Sequence, residues 1–300
     1  MFRSFEELFS HLKTKGRERI VVAGGEDIEA LKAVKESYDY GFGKGVLIGY
    51  KNKIEDALKL IGSDEFVEKI VDISSEEEKG PAAVREVKTN GGVLLKGQIK
   101  TAYLLKAVLD KENGLRTDRI ISDVFVFEDI SVSGKLVLMS DGGVNINPDL
   151  NALIAIIKNA VEVAHKLGNE NPKVALLSAV EVVNPDMQDT LNWSLISKMS
   201  KRNQIKGCVI DGPLALDNAI SEYAAKKKGI VSEVAGNADI LIVPNIVVGN
   251  VFGKSLAYYS KFKNAHIIVG TKVPVMIPSR ADRSDVKFNS IALAIASKTI

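Results

Sequence analysis

Residues 136 to 177 read LVLMSDGGVNINPDLNALIAIIKNAVEVAHKLGNENPKVALL, and this stretch decides the fold class. It opens on Leu136–Met139, a short β-rich apolar run that stops at Ser140-Asp141-Gly142-Gly143. Asn147 is a candidate helix cap with Pro148 just inside it, and Leu153, Ile156, Ile157, Ala160, Ala164 and Leu167 recur at i, i+3, i+4 spacing until Gly168. Val174–Leu177 then repeats the first pattern. Strand, amphipathic helix and strand in succession are the alternation of an α/β protein.

The same alternation extends over the chain. Apolar runs bounded by Gly, Asp or Pro occur at Ile20–Ala23, Val46–Ile48, Val93–Leu95 and Val124–Phe127, and later at Val209–Ile210, Ile240–Val243 and Ile267–Val269. Their continuous apolar character is that of strands buried on both faces. The prediction is an α/β protein with a largely parallel sheet. No internal repeat or low-complexity segment interrupts it. The polar segment Asp110–Asp118 is the best candidate for a domain break.

A chain of 300 residues exceeds the size at which one hydrophobic core usually stops growing, so two lobes are expected. Forty basic against 38 acidic residues leave a formal charge of +2, and no basic block resembles a nucleic-acid arm. Nucleic acid is not an expected partner. The first residues carry acids and lack a signal-like apolar segment, and no apolar run approaches the ~20 residues that span a bilayer. A cytoplasmic location away from membranes is the expectation. The single cysteine, Cys208, excludes an internal disulfide and reads as inert packing at the start of a buried strand. His11, His165 and His266 share no metal-ligand spacing and read as surface or packing residues, as does Trp193; no metal site is expected.

Open α/β sheets bind ligands beyond the carboxyl ends of their strands, which directs attention to the loops. Gly24-Gly25-Glu26-Asp27 is either a plain turn with acidic capping or a cleft-lining loop. Ser140-Asp141-Gly142-Gly143 is either a structural turn or a place where the backbone approaches a ligand closely. Asp217 either caps a helix or faces the cleft. Gly249-Asn250-Val251-Phe252-Gly253-Lys254 reads as a glycine-rich turn whose N–H groups and lysine either hold an anion or simply connect two elements. The candidate substrate-binding residues are thus Asp141, Gly142, Gly143, Asn250 and Lys254. Ser279-Arg280-Ala281-Asp282-Arg283-Ser284-Asp285 follows the apolar run Val273–Pro278 and is the densest cluster of reactive groups. Its guanidiniums suit bidentate phosphate recognition, and the alternative reading is a solvated loop of mutually neutralising charges.

Taken together these stretches resemble the phosphate acetyl/butyryltransferase family, most closely its butyryltransferase branch. The matching segments are Gly92-Val93-Leu94-Leu95-Lys96-Gly97, Ser140-Asp141-Gly142-Gly143-Val144-Asn145-Ile146, Ala175-Leu176-Leu177-Ser178-Ala179-Val180-Glu181 and Asp211-Gly212-Pro213-Leu214-Ala215-Leu216-Asp217-Asn218-Ala219-Ile220. Gly236-Asn237-Ala238-Asp239-Ile240 through Gly249-Asn250, and Pro278-Ser279-Arg280-Ala281-Asp282, complete the ordered set. The resemblance implies two α/β/α lobes around a cleft, the fold of isocitrate and isopropylmalate dehydrogenases. It places residues 1–116 plus 268–300 in the first lobe and 117–267 in the second. It implies a homodimer or larger homo-oligomer whose small-molecule partners are acyl-CoA, acyl phosphate and inorganic phosphate. Coenzyme A is a substrate, and no cofactor is bound permanently.

The reaction so implied is reversible conversion of butyryl-CoA and phosphate to butyryl phosphate and CoA, by direct attack of the thiolate on the acyl-phosphate carbonyl; the acetyl counterpart is the alternative. Ser279 matches the family serine near the reacting carbonyl, and Arg280 matches the adjacent arginine assigned to phosphate. The family's acetyltransferases place a base aspartate where this chain has Val286, which leaves Asp285 and Asp282 as candidates for the base. They also carry an arginine after Lys96-Gly97, where this chain offers Lys100 and Lys106, so Lys106 is a candidate phosphate-binding residue. Val247-Val248 departs from the butyryltransferases, which commonly have an acid at the first of these positions. Two rival functions remain on fold class alone, a nicotinamide-dependent dehydrogenase and a non-catalytic two-lobed binding protein. The former needs clustered metal-binding aspartates, which the sequence lacks.

Overall fold

The structure is a computed structural model that describes residues 1–279 and 281–298. The chain divides into two compact units. One comprises Met1–Phe5 and Ile120–Asn264; the other comprises Glu6–Arg119 and the described residues from Ala265 onward.

The latter unit begins with α1 (Phe5–Lys13), β1 (Glu18–Ala23), α2 (Ile28–Asp39), β2 (Gly43–Gly49), α3 (Lys51–Ile61), β3 (Val67–Asp72), α4 (Glu76–Asn90), β4 (Val93–Lys96) and α5 (Thr101–Val108). Ile20, Val21, Val22 and Ala23 are all buried, as are Leu94 and Leu95. These strands are covered on both faces, as their unbroken apolar runs require. β3 was not visible as an apolar run because it lies at the sheet edge and exposes Glu68 and Lys69.

The other unit contains β5 (Ser122–Asp129), β6 (Lys135–Ser140), α6 (Leu150–Lys166), β7 (Lys173–Leu177), α7 (Gln188–Lys201), β8 (Val209–Leu214), α8 (Leu216–Ile220), α9 (Glu222–Lys227), β9 (Ile240–Ile242) and α10 (Ile246–Tyr258). Its strands run in the order β5-β6-β9-β7-β8, with β5–β6 antiparallel and the other neighbours parallel. The cap of α6 is Asp149, whose carboxylate accepts the Ala152 N–H at 2.8 Å; Asn147 lies outside the helix. Gly168 ends it at a φ of 83°, which glycine adopts without steric cost. Phe127, Met139, Leu177, Leu214, Leu241 and Leu256 form the core of this unit, and Phe125, Phe252 and Phe262 pack against it. Trp193 is fully buried and donates its indole N–H to the Leu177 carbonyl at 2.9 Å, a packing role.

The chain then supplies β10 (Asn264–Val269), β11 (Val275–Met276) and α11 (Ser284–Ser297) to the unit that began with β1. There the order is β3-β2-β1-β4-β11-β10, parallel except for β10–β11. Phe288 of α11 stacks among Phe9, Tyr40 and Phe42, with ring centroids 4.6 to 5.6 Å away. This aromatic packing fixes α11, which carries the end of the Ser279 loop. No described helix is long and apolar enough to cross a membrane.

Candidate active site

In the β1-containing unit, the loops after β1, β4 and β11 open onto one cavity of about 560 Å³. Its wall includes Glu26, Asp27, Tyr50, Lys53, Glu76 and Lys79, then Lys96, Lys100, Ser279 and Lys287. The Gly24-Gly25 turn explains how the acids reach it. Gly24 has a φ of 89°, and both glycine N–H groups donate to the Ile48 carbonyl, pinning the turn across β2. Asp27 has two roles. It caps α2 by accepting the Ala30 N–H at 2.9 Å and it lines the cavity.

Two buried ion pairs order the wall. Lys79 of α4 bonds Glu26 and the Gln98 carbonyl, the latter at 3.1 Å. Lys287 of α11 reaches the two Asp27 oxygens at 3.2 and 3.4 Å. Lys79 is 2% exposed and Lys287 4%, so neither ammonium is tolerated there without an acid beside it. The Tyr50 ring lies under both Lys79 and Lys53, with Nζ atoms 4.4 and 4.8 Å from its centroid.

Ser279 lines this cavity, and Asp282 shapes its loop. The Asp282 carboxylate accepts the Ser279 N–H at 2.7 Å, the Asp282 N–H donates to the Ser279 carbonyl, and the His266 ring lies 3.4 Å from the same carboxylate. Asp282 therefore positions Ser279. Asp285 sits apart: exposed in the first turn of α11, it accepts its neighbour Val286 N–H. Burial, then the charges of Asp285 and Asp39, hold the Glu36 carboxyl above its usual range, so Asp285 faces α2. Lys106 is exposed on α5 and is not part of the wall, whereas Lys100 is. Arg280 lies outside the described residues.

The remaining sequence candidates are in the other unit. Asp141 is 3% exposed, and its carboxylate accepts the N–H groups of Gly143, Val144 and Asn145 at 2.9 to 3.1 Å and the Asn145 side-chain amide at 2.5 Å. Burial, followed by the charge of Asp123, raises its carboxyl above the ordinary value against these bonds. Its role here is to fold the loop containing Gly142 and Gly143. Gly249 through Lys254, expected as a glycine-rich turn, lies inside α10, so its N–H groups belong to a helix. The glycine at 249 answers a packing need, since a Cβ there would stand 2.7 Å from the Asp141 carbonyl oxygen and the Gly142 Cα. Asn250 donates to the Gly142 carbonyl at 3.3 Å, and Lys254 is exposed on the same helix. Near them, a cavity of about 940 Å³ is lined by Leu177, Met187, Leu216, Val247, Val251 and Phe252. None of the five candidates lines it, but Val247 and Val248 do.

The family described as phosphate acetyl/butaryl transferase matches residues 80–295. The phosphate butyryltransferase of Clostridium beijerinckii is 44% identical over 295 residues, 98% of this chain and 97% of that protein. The chain belongs to that family. The phosphate acetyltransferase of Thermotoga maritima is 42% identical over 290 residues, 96% of this chain and 98% of that one. Among solved structures, a branched-chain phosphotransacylase from Enterococcus faecalis V583 superposes with a TM-score of 0.84 at 36% identity, covering 93% of this chain and 98% of its own. At the level of fold alone, a 4-hydroxythreonine-4-phosphate dehydrogenase from Salmonella typhimurium matches with a TM-score of 0.55 at 11% identity and 94% coverage of this chain, 99% of its own. The expected dehydrogenase-like α/β fold is therefore the observed one.

Lys53, Lys79, Lys287 and Tyr50 are wall residues that the motifs did not single out. Two left a signal. Lys79 falls on the buried stripe of α4 with Ala83 and Val87, and Lys287 on that of α11 with Ile291 and Ala294. A lysine on an apolar helix stripe must meet an acid or a ligand.

Proposed function

We propose that this chain transfers acyl groups reversibly between coenzyme A and inorganic phosphate, as an acyltransferase acting in the cytoplasm as a homodimer or larger homo-oligomer. The observation that carries the reading is near-full-length similarity to phosphate butyryltransferase at 44% identity. In the acyl-phosphate direction, the CoA sulfur forms a bond to the carbonyl carbon while the carbon–oxygen bond to phosphate breaks. Phosphate leaves with the electron pair, and the thiol proton passes to a base or to solvent. Butyryl transfer is preferred over acetyl transfer by the order of identities, 44% against 42%, a margin that makes the acyl group the quantity to measure.

In this reading Ser279 stands near the reacting carbonyl and Arg280 holds phosphate. Asp282 supports the Ser279 loop, and the base is not assigned to it. A preformed donor at a developing oxyanion is worth ~10²–10³-fold. Ser279→Ala therefore lowers kcat in that range with a smaller effect on KM, while Arg280→Ala mainly raises the KM for phosphate. Incubation with acetyl-, propionyl-, butyryl- and isobutyryl-CoA plus phosphate, with free thiol followed continuously, is the direct test. Release fastest with butyryl-CoA is expected; intact thioester in every member sinks the proposal. Metal-dependent NAD reduction with hydroxy acids by the same preparation would favour the dehydrogenase alternative.

A further inference from the structure

We propose that His266 is a further positioning residue for the transfer reaction: from β10 it steadies the Asp282 carboxylate, which in turn sets the orientation of Ser279. This rests on the acyl-transfer reading, in which Ser279 stands near the reacting carbonyl.

One oxygen atom links the three residues. Oδ2 of Asp282 accepts the Ser279 N–H at 2.7 Å, and Nε2 of the His266 ring lies 3.4 Å from that same Oδ2. The Asp282 N–H donates to the Ser279 carbonyl at 3.1 Å, so both backbone polar groups of Ser279 are committed to Asp282. The Ala281 N–H donates to Ser279 Oγ at 3.4 Å. That bond uses Oγ as an acceptor and leaves its hydrogen to donate to a carbonyl oxygen. A shift of the Asp282 carboxylate is therefore a shift of the Ser279 backbone and of the hydroxyl it carries.

The terminal torsion of an aspartate is broad and roughly two-fold, so a carboxylate held at one oxygen by more than one neighbour keeps a narrower setting. His266 can act as a brace because its own strand is fixed. Ala265 and Ile267 on either side of it are fully buried. The Ser290 hydroxyl accepts the His266 N–H at 3.1 Å and donates to the Val286 carbonyl at 2.8 Å, which ties β10 to α11. At the far end of the loop, the Ser284 N–H donates to the Glu29 carboxylate of α2 at 2.9 Å. The segment between Ser279 and Ser284 thus hangs between fixed ends, and the half-buried His266 ring meets it at Asp282. Small misplacements of a group that contacts the reacting atoms are costly in rate, which gives such a brace a function beyond stability.

The test measures butyryl-CoA and phosphate turnover on the intact chain for His266→Ala, His266→Gln, His266→Asn, Asp282→Asn and the combination of His266→Ala with Asp282→Asn. The glutamine amide nitrogen falls where Nε2 lies and keeps a donor on Oδ2, whereas the shorter asparagine amide falls nearer Nδ1 and does not reach. Loss of one polar contact corresponds to a change of about three- to tenfold. His266→Ala and His266→Asn are expected to lower kcat by that factor with the KM for butyryl-CoA within about twofold, and His266→Gln to stay near wild type. His266→Ala should add little to Asp282→Asn, because the two act through one contact. Amide hydrogen exchange of the segment around Ser279 supplies a readout independent of turnover, expected to quicken in the alanine and asparagine variants and not in the glutamine one. Wild-type kcat and exchange in His266→Ala, equal losses in the glutamine and asparagine variants, or full additivity with Asp282→Asn overturns the proposal. If His266→Ala does not fold, the comparison of glutamine with asparagine decides alone. Absent turnover in the unsubstituted chain with His266-dependent exchange at Ser279 removes the acyl-transfer reading and keeps the brace; normal turnover unaffected by His266→Ala removes only the brace.

Discussion

Cys208 stands one residue before β8, half-buried, and burial alone pushes its thiol up to about 11. At pH 7 the thiolate fraction is then ~10⁻⁴, too small for an efficient nucleophile. The direct attack proposed above requires no enzyme cysteine, so Cys208→Ala should keep kcat within about twofold, and the native thiol should react slowly with disulfide reagents. A hundredfold loss in the same assay would call for a covalent intermediate. Lys79 is the opposite kind of residue. Removing it leaves Glu26 buried without its cation, and breaking a buried pair typically costs about 3–5 kcal/mol. Lys79→Ala should lower urea stability by that order, and pairing it with Glu26→Gln should recover part of the loss; equal stability of the two would remove the pair from the account. Neither Glu26 nor Lys79 announces its partner in sequence, because 53 positions separate them. What was readable was one half of the pair, a lysine on an apolar stripe.

At the scale of elements, the legible parts were those whose local pattern and tertiary burial agree. β1, β2 and β4 are apolar runs and prove to be buried; α6 has both an apolar stripe and punctuation at its ends. β3 failed this test because an edge strand needs only partial burial, so its sequence mixes charged with apolar residues. The segment at Gly249 failed for a different reason. Glycine ordinarily argues for a turn, yet here it permits α10 to lie against the Asp141–Gly142 backbone, a contact formed with residues more than 100 positions earlier. That distinction predicts the sign of a substitution. Gly249→Ala would normally stabilise a helix interior by roughly 0.5–1 kcal/mol. With a Cβ placed 2.7 Å from two backbone atoms, overpacking of about 1–3 kcal/mol should win instead. A rise in melting temperature for Gly249→Ala would show that the helix packs more loosely than described.

For the whole molecule, near-equal numbers of acids and bases give a formal charge of only +2, so pH acts mainly through individual carboxylates. Arg19 and Lys69 hold Glu86 at 2.6 and 3.1 Å, and Asn90 adds a bond at 2.9 Å. Burial raises the Glu86 carboxyl, but the bonds from Arg19, Lys69 and Asn90 outweigh it and the net direction is down. Asp129 behaves alike: burial is outweighed by the Ser133, Val132 and Ser131 bonds. Glu68 is lowered by its bond to Lys44, against burial, with help from Arg19. A carboxylate whose folded pKa lies below the unfolded one binds more protons unfolded. Its stabilisation is therefore present above the unfolded value of about 4 and is lost as pH falls through the lower folded value. Asp141 and Glu36 are raised and act in the opposite sense, being relieved as pH falls. With the lowered groups held by more charged partners, the urea midpoint should be nearly flat from pH 6 to 8 and decline between roughly pH 5 and 2. Glu86→Gln should cost about 1–3 kcal/mol at pH 7, where Arg19 and Lys69 lose a charged acceptor, and little near pH 3, where Glu86 is closer to neutral. The informative quantity is the convergence of the two curves in acid; parallel curves across the whole range would mean that Glu86 contributes through packing rather than charge.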